Sequence, residues 1–202
     1  MQELDSNDAP LKALPKKSKA RETVETVVVA LGLALITRAA VAEPRYIPSE
    51  SMLPTLKVQD RLIVEKISNY TQKYKRGDIL VFYPPSETQN QESPVSNTLK
   101  WLGFSTTPAY IKRVIGLPGE TIEVRDGKVW INGKALEESA YIKEPPVYDM
   151  PPVKIPENNF FMMGDNRNNS MDSHVWGTLP TKNIIGHAAF RFWPLKRIGT
   201  LD

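Results

Sequence analysis

Cysteine is absent from this 202-residue chain, and histidine occurs only at His174 and His187. Without a thiol the protein can form no disulfide, use no cysteine nucleophile and hold no metal through thiolates. Two histidines alone also argue against a zinc cage. The absence of cysteine does not by itself assign a redox compartment.

A long run of one charge is missing too. The chain has 26 basic and 23 acidic residues, a formal net charge of +3, and the charges are spread along its length. This excess is too small to indicate a nucleic-acid partner. Seventeen prolines interrupt the sequence too often for a helical bundle. We expect one globular unit behind an N-terminal tail.

One apolar segment lies near the N-terminus. Residues 26–37 carry no charge and follow a stretch rich in lysine. Twelve helical residues span about 18 Å, less than the roughly 30 Å of a bilayer core. The segment becomes long enough as residues 23–42 if Glu25 and Arg38 lie near the interfaces.

Three interpretations of this segment remain open. It fits a retained anchor, a signal peptide with Ala40-Val41-Ala42 as its cleavage site, or a buried helix of a soluble domain. We favour the anchor, because Arg38 is unusual inside a cleavage region and the basic flank argues against a buried helix. The positive-inside rule then predicts a cytoplasmic tail over residues 1–22, an anchor over 23–42 and a domain on the far side over 43–202. Self-processing after Ala42 is a further expectation at high protein concentration.

Short β-branched and aromatic runs follow the anchor, and they predict a mainly β domain of sandwich or barrel type. Asp126-Gly127 is a strong hairpin signal, and Asn132-Gly133 marks another turn. We expect a polar insertion over residues 86–108, a small accessory β region over 126–158, and an extended proline-rich connector over 141–156. The predicted strands are residues 61–66, 78–83, 110–115, 121–125, 128–131, 159–163 and 184–193.

Two serines, Ser49 and Ser51, lie between Pro48 and Pro54, which restrict the backbone on both sides. A polar loop explains this composition as well as a nucleophile does. A nucleophilic serine needs a base, and a histidine triad is not favoured, because Asp172 would lie beside His174 on a strand rather than behind its ring. Lysine is the other known base.

Lys112 lies in a predicted strand whose alternation sends it to one face with Tyr110 and Val114. Burial among apolar neighbours penalises the ammonium form and lowers the pKa, which would make the lysine a competent base. A lysine that extends to solvent from a half-buried strand fits the pattern equally well. The polar residues 163–174 lack the spacing of a calcium loop and are either a structural loop or support for an active site.

Four segments in order, residues 48–55 (PSESMLPT), 76–82 (RGDILVF), 110–120 (YIKRVIGLPGE) and 164–173 (GDNRNNSMDS), resemble the boxes of bacterial type I signal peptidases. The resemblance runs from about residue 20 to residue 194. It implies a signal-peptidase-like (LexA-like) β fold and a membrane-bound serine endopeptidase. Such an enzyme removes signal peptides after an Ala-x-Ala site without a metal or cofactor.

The resemblance also implies roles for individual residues. Ser51 would be the nucleophile, Lys112 the general base, and the Ser49 hydroxyl with the Ser51 N–H the oxyanion hole. Ser170 would orient the lysine amine. Structural support would come from Arg113, Asp165 and Asp172, and the substrate pocket from Ile47, Met52, Leu56, Tyr110 and Ile111.

Two positions depart from the family pattern: Asn168 stands where many relatives carry aspartate, and His174 where many carry arginine. Neither belongs to the dyad. The implied partners are signal peptides of exported preproteins, the lipid bilayer and a nearby export translocon. The implied location is the plasma (inner) membrane, or a thylakoid membrane where the cell has one.

Two rival functions are weighed against this one. A self-cleaving repressor of the related Ser-Lys fold would need a helix-turn-helix before the protease domain, and the polar N-terminal residues show no such pattern. A tethered β-domain that only binds partners would not need both Ser51 and Lys112.

Overall fold

The computed structural model describes residues 18–85 and 108–201. Most of the predicted tail and of the predicted insertion lies outside these residues. Residues up to Leu35 and residues from Ile36 onward form two separate compact units.

The N-terminal apolar segment is a single helix, α1 (Lys19–Ala40). Its 22 residues span about 33 Å at 1.5 Å per residue, which matches a bilayer core. Within the part of the chain that the structure describes, α1 alone is long and apolar enough to cross a membrane. The helix begins four residues before the predicted start of the anchor, residue 23, and ends two residues before the predicted end, residue 42. The early end arises because Ala42 already belongs to the first strand.

The unit from Ile36 onward is built around a larger antiparallel sheet. Its main path runs β1-β2-β11-β3-β4-β9-β10, and β12 pairs with β11. The strands are β1 (Ala42–Tyr46), β2 (Arg61–Glu65), β3 (Ile79–Phe82), β4 (Tyr110–Gly116), β9 (Asn159–Met163), β10 (Leu179–Pro180), β11 (Ile184–Trp193) and β12 (Gly199–Thr200).

A smaller antiparallel sheet has the order β7-β6-β5-β8. The turn between β5 and β6 uses Asp126 at φ 52° and Gly127 at φ 68°, the paired left-handed conformation of a type I′ hairpin. Its strands are β5 (Thr121–Arg125), β6 (Lys128–Ile131), β7 (Lys134–Ala135) and β8 (Met150–Lys154).

The described part of this unit also contains the short α-helices α2 (Ile67–Thr71) and α3 (Ser173–Trp176). Buried side chains from both sheets meet in one core cluster that includes Ile115 and Phe161 from the larger sheet and Ile122 from the smaller one. The smaller sheet therefore packs on the ends of β4 and β9, the two strands that also lead to the candidate site.

The prediction of a mainly β chain behind one apolar helix is confirmed. Strands β5, β6, β9 and β11 have the predicted bounds. The proline-rich connector predicted over residues 141–156 is only partly irregular, since its end forms β8. Among the described residues β8 pairs only with β5, and the register shifts at Pro151 and Pro152, so an irregular edge strand accommodates two residues that lack an N–H donor.

Candidate active site

Ser51 begins a turn that is separated from the first strand by four residues. Leu53 N–H donates to Glu50 O (3.1 Å) and Leu56 N–H to Met52 O (2.8 Å). The Met52 and Leu56 side chains are fully buried in the core beneath the turn. Because these two side chains anchor the turn in the core, Ser51 is held in a buried position with 7% of its area exposed.

Lys112 lies in β4, opposite Leu80 of β3, and is only 4% exposed. Its Nζ donates to Ser51 Oγ at 2.6 Å and to Ile111 O at 3.0 Å. The Tyr110 ring centroid lies 5.7 Å from the same nitrogen. The predicted serine and lysine are therefore in direct contact, although 61 residues separate them in the chain.

Burial lowers the pKa of Lys112 to about 8. Loss of solvation is the larger effect, because an ammonium ion removed from water loses its hydration. The negative charges of Asp172 and Asp165 act in the opposite direction and limit the decrease in this pKa. A large fraction of Lys112 is thus neutral near pH 8, and a neutral amine can accept a proton from a hydroxyl.

The loop after β9 is bound to the nucleophile turn. Asn166 N–H donates to Ser51 O (3.0 Å), and its side-chain amide donates to Glu50 O (3.2 Å). Gly164 leaves no room for a side chain, because a Cβ there would lie 2.3 Å from Ser170 Oγ and 2.4 Å from Ser51 O. Close approach of the two backbones explains a glycine at this position.

Two buried carboxylates organise this loop. Asp165 forms a bidentate pair with Arg113 (2.8 and 2.7 Å) and accepts from Thr55 Oγ1 (2.5 Å). Asp172 accepts from Gly164 N–H (2.8 Å) and lies 2.7 Å from His174 Nδ1. Asp165 thus connects the loop to β4 and to the nucleophile turn, whereas Asp172 binds groups within the loop.

Ser49 and Ser170 differ in their contacts. Ser49 Oγ is 3.3 Å from Ser51 Oγ, so the two hydroxyls are within hydrogen-bonding distance of each other. Ser170 Oγ is buried and has no hydrogen-bond partner among the described residues, so its predicted bond to Lys112 is not formed here. The role of Ser170 in orienting the lysine stays a prediction.

A cavity of about 450 Å³ opens beside Ser51 and Lys112. Of the five residues predicted to form the substrate pocket, Tyr110 and Ile111 line it. The other three, Ile47, Met52 and Leu56, belong to the core cluster beneath the turn. The remaining lining residues are Pro48, Ser49, Glu50, Pro108, Ala109, Asn169 and Met171.

Several contacts of the site were not anticipated from the sequence. Arg167, 1% exposed, forms a bidentate pair with Glu138 (2.7 Å for both bonds), 29 residues away. The Tyr148 ring stacks on His174 with centroids 4.3 Å apart. The sequence marks Arg167 as part of a polar loop, but no local signal points to Glu138 or Tyr148. Across the residues that the structure covers, no group of three or more acidic or histidine side chains is arranged to hold a metal.

Comparisons with known proteins show similarity over most of the chain. Residues 20–193 match the family model described as signal peptidase, peptidase S26. The chain is 52% identical over 193 residues to a signal peptidase I of Leptolyngbya laminosa, covering 95% of this chain and 89% of that protein. It is 53% identical over 181 residues to a probable signal peptidase I-1 of Synechocystis, covering 90% and 86% of the two chains. A thylakoidal processing peptidase 1 of Arabidopsis thaliana is 38% identical over 177 residues, which are 88% of this chain and 49% of that protein.

Proposed function

The chain belongs to the signal peptidases of peptidase family S26 and is a serine peptidase that removes signal peptides, and from this premise we propose that Ser51 is its nucleophile and Lys112 its general base. The contact of 2.6 Å between Lys112 Nζ and Ser51 Oγ carries this proposal. Burial of both groups and the lowered pKa of the lysine support it.

The proposed reaction passes through an acyl-enzyme. Neutral Lys112 takes the Ser51 proton as Oγ attacks the scissile carbonyl carbon. The tetrahedral intermediate then expels the amine of the mature protein, which takes the proton from Lys112. Water attacks the remaining ester, with Lys112 again removing a proton, and the signal peptide leaves as a carboxylic acid. Ser51 regains its hydroxyl proton in this last step.

Ser49 is proposed to stabilise the oxyanion together with the Ser51 N–H. The separation of 3.3 Å between Ser49 Oγ and Ser51 Oγ supports this role, because a donor beside the nucleophile can reach the oxygen of the carbonyl under attack. One donor of this kind contributes about 3 kcal/mol to transition-state stabilisation.

The substrate is proposed to bind as an extended chain with an Ala-x-Ala site. Strand β9 pairs with β4 only from Arg113 onward, so among described residues Tyr110, Ile111 and Lys112 have no strand on that side. This open stretch borders the cavity and can accept the backbone of a substrate strand. The apolar side chain of Ile111 lines this cavity, and we call this surface its apolar floor. Small residues at the first and third positions before the cut suit it.

We further propose a single-pass membrane location with the N-terminus in the cytoplasm and residues 43–202 on the other side. The support is one apolar helix of sufficient length and the lysine-rich segment before it. A plasma membrane and a thylakoid membrane both satisfy this topology. The preprotein partner follows from the activity, and proximity to an export translocon follows from the need to meet preproteins as they emerge.

Cleavage of a preprotein with an Ala-x-Ala site by the full-length protein in detergent tests the dyad. Ser51→Ala and Lys112→Met are each expected to lower kcat by a factor on the order of 10⁴. Ser139→Ala and Lys182→Met are matched controls at exposed positions and should retain full activity. Undiminished cleavage by either dyad variant would rule out the proposed mechanism.

A further inference from the structure

The cavity beside the dyad has a third wall that neither the nucleophile turn nor β4 provides. Asn169 and Met171 form it, two residues apart in the loop after β9. Ser170 between them turns the other way, and its Oγ is buried near Gly164. Asp172, which follows Met171, is fully buried and holds Gly164 N–H. The backbone around Met171 is therefore fixed on both sides.

Met171 is 57% exposed, although its side chain is long and apolar. Single exposed apolar residues are common on protein surfaces and need no explanation by themselves. Met171 differs from the others because it lines the cavity beside the proposed nucleophile. A substrate in this cavity would cover its side chain, and removing apolar surface from water is favourable.

We propose that Met171 determines specificity by packing against the middle residue of the Ala-x-Ala site. This inference rests on the proposed function, and it names a contact for the substrate position that the two alanines leave open. In an extended chain, neighbouring side chains point in opposite directions. When the two small residues face the apolar floor, the residue between them faces the wall formed by Asn169 and Met171. The flexible thioether of methionine suits partners of several sizes.

The test compares Met171→Ala with wild type on two peptides that differ only in the middle residue, Ala-Leu-Ala and Ala-Gly-Ala. Loss of the contact should raise KM for the leucine peptide about fivefold, the effect of roughly one methylene group removed from burial. For the glycine peptide KM should change less than twofold, because no side chain meets Met171. The kcat values and the pH profile should stay as in wild type, since Met171 is not bonded to Lys112.

Ile67→Ala is the matched control, because Ile67 is 56% exposed and does not line the cavity. It should leave both peptides unaffected, and Met171→Leu should restore the preference for the leucine peptide. An equal change in KM for both peptides, or no change for either, would overturn the role of Met171. Ser51→Ala, assayed in parallel, separates the hypothesis of the dyad from that of Met171. Activity in Ser51→Ala would contradict the dyad. The role of Met171 is tested separately, by the peptide preference of the active Met171→Ala enzyme.

Discussion

At the scale of single residues, the chemistry depends on how little water reaches Lys112. The side chain is 4% exposed, and its pKa falls from 10.5 to about 8 because burial costs the charged form more than the neutral one. Asp172 and Asp165 oppose this effect. The base strength of the dyad is thus a balance between desolvation and two nearby carboxylates.

This balance predicts the pH dependence of cleavage. Only neutral Lys112 accepts the Ser51 proton, so kcat/KM should rise about tenfold per pH unit at acidic pH and level off above a midpoint near 8. Asp172→Asn removes a charge that raises this pKa, so the midpoint should shift to lower pH. Initial rates on one peptide from pH 5.5 to 10 measure both effects.

Lys112→Arg is the control for this profile. It keeps a positive charge but cannot lose a proton in the accessible range, so it should be inactive throughout. A wild-type profile that stays flat between pH 6 and 9 would contradict Lys112 as the base.

The sequence predicted the two dyad residues and a lowered pKa for Lys112, but not which residues exclude water from its amine. Ser51 and Lys112 each fitted an ordinary polar loop or a solvated strand lysine, and only the order of four segments raised them above that background. The pKa of Lys112 depends on which residues exclude water from its amine, and some of these residues lie far away in the chain. The predicted bond from Ser170 likewise depends on a side-chain position that no local pattern specifies.

At the scale of elements, the loop after β9 holds the nucleophile turn in place, because the backbones of the two segments are in contact. Gly164→Ala tests this contact. Its Cβ would lie 2.4 Å from Ser51 O, which cannot move without shifting the nucleophile. We expect kcat to fall at least about 100-fold with little change in KM, since misplacement by about 1 Å can cost that much.

Gly199→Ala is the control, since a Cβ there meets no atom within 4 Å. Normal kcat in a folded Gly164→Ala protein would show that the loop does not position Ser51. Thermal unfolding of both variants separates an effect on catalysis from a loss of fold.

Strand β1 bears on the expected self-processing after Ala42. The Ala42–Glu43 bond lies within the ladder between β1 and β2, and Glu43 is 1% exposed with Lys66 Nζ 2.7 Å from its carboxylate. A protease needs this segment extended and free, so pairing protects it. We now expect the folded wild-type protein to stay intact at high concentration, as intact-mass measurement can check.

Lys66→Met should make the bond more accessible, because it removes one of the two cations that pair with the buried Glu43 carboxylate and leaves only Arg45. A fragment beginning at Glu43 should then appear, and it should be absent from the double variant that also carries Ser51→Ala. Cleavage of wild type at the same rate would show that β1 gives no protection.

At the scale of the whole folded unit, the two sheets meet through a core cluster and a buried ion pair. Arg167, in the loop beside the dyad, pairs with Glu138, which lies between β7 and β8 of the smaller sheet. Glu138→Leu should lower the free energy of unfolding by about 3–5 kcal/mol, because it leaves the Arg167 charge buried and unpaired. Urea unfolding of the variant measures this loss.

The double variant Glu138→Leu with Arg167→Met should recover much of the lost stability, since two apolar side chains need no partner. Arg125→Met, at an exposed pair 3.7 Å from Glu123, is the control and should change the free energy of unfolding by less than about 1 kcal/mol. A small effect of Glu138→Leu would mean that water reaches Arg167.

The sequence by itself determined the apolar helix, most strands and the candidate nucleophile and base. These features depend on local patterns: an uncharged run, alternation along a strand, turn residues at Asp126-Gly127 and four ordered motifs. Strand β8 was not predicted because Pro151 and Pro152 disfavour a regular strand, and only the tertiary structure shows that β8 lies at the edge of the described sheet and is irregular at these prolines.

Only the tertiary structure decided which residues surround the dyad. It places Lys112 Nζ 2.6 Å from Ser51 Oγ. It also places Ile47, Met52 and Leu56 in a core cluster, and Met171 on the cavity wall. The reason is physical: hydrogen bonding, desolvation and cavity shape depend on distances between residues far apart in the chain. Local sequence patterns constrain the conformation of a segment but not those distances.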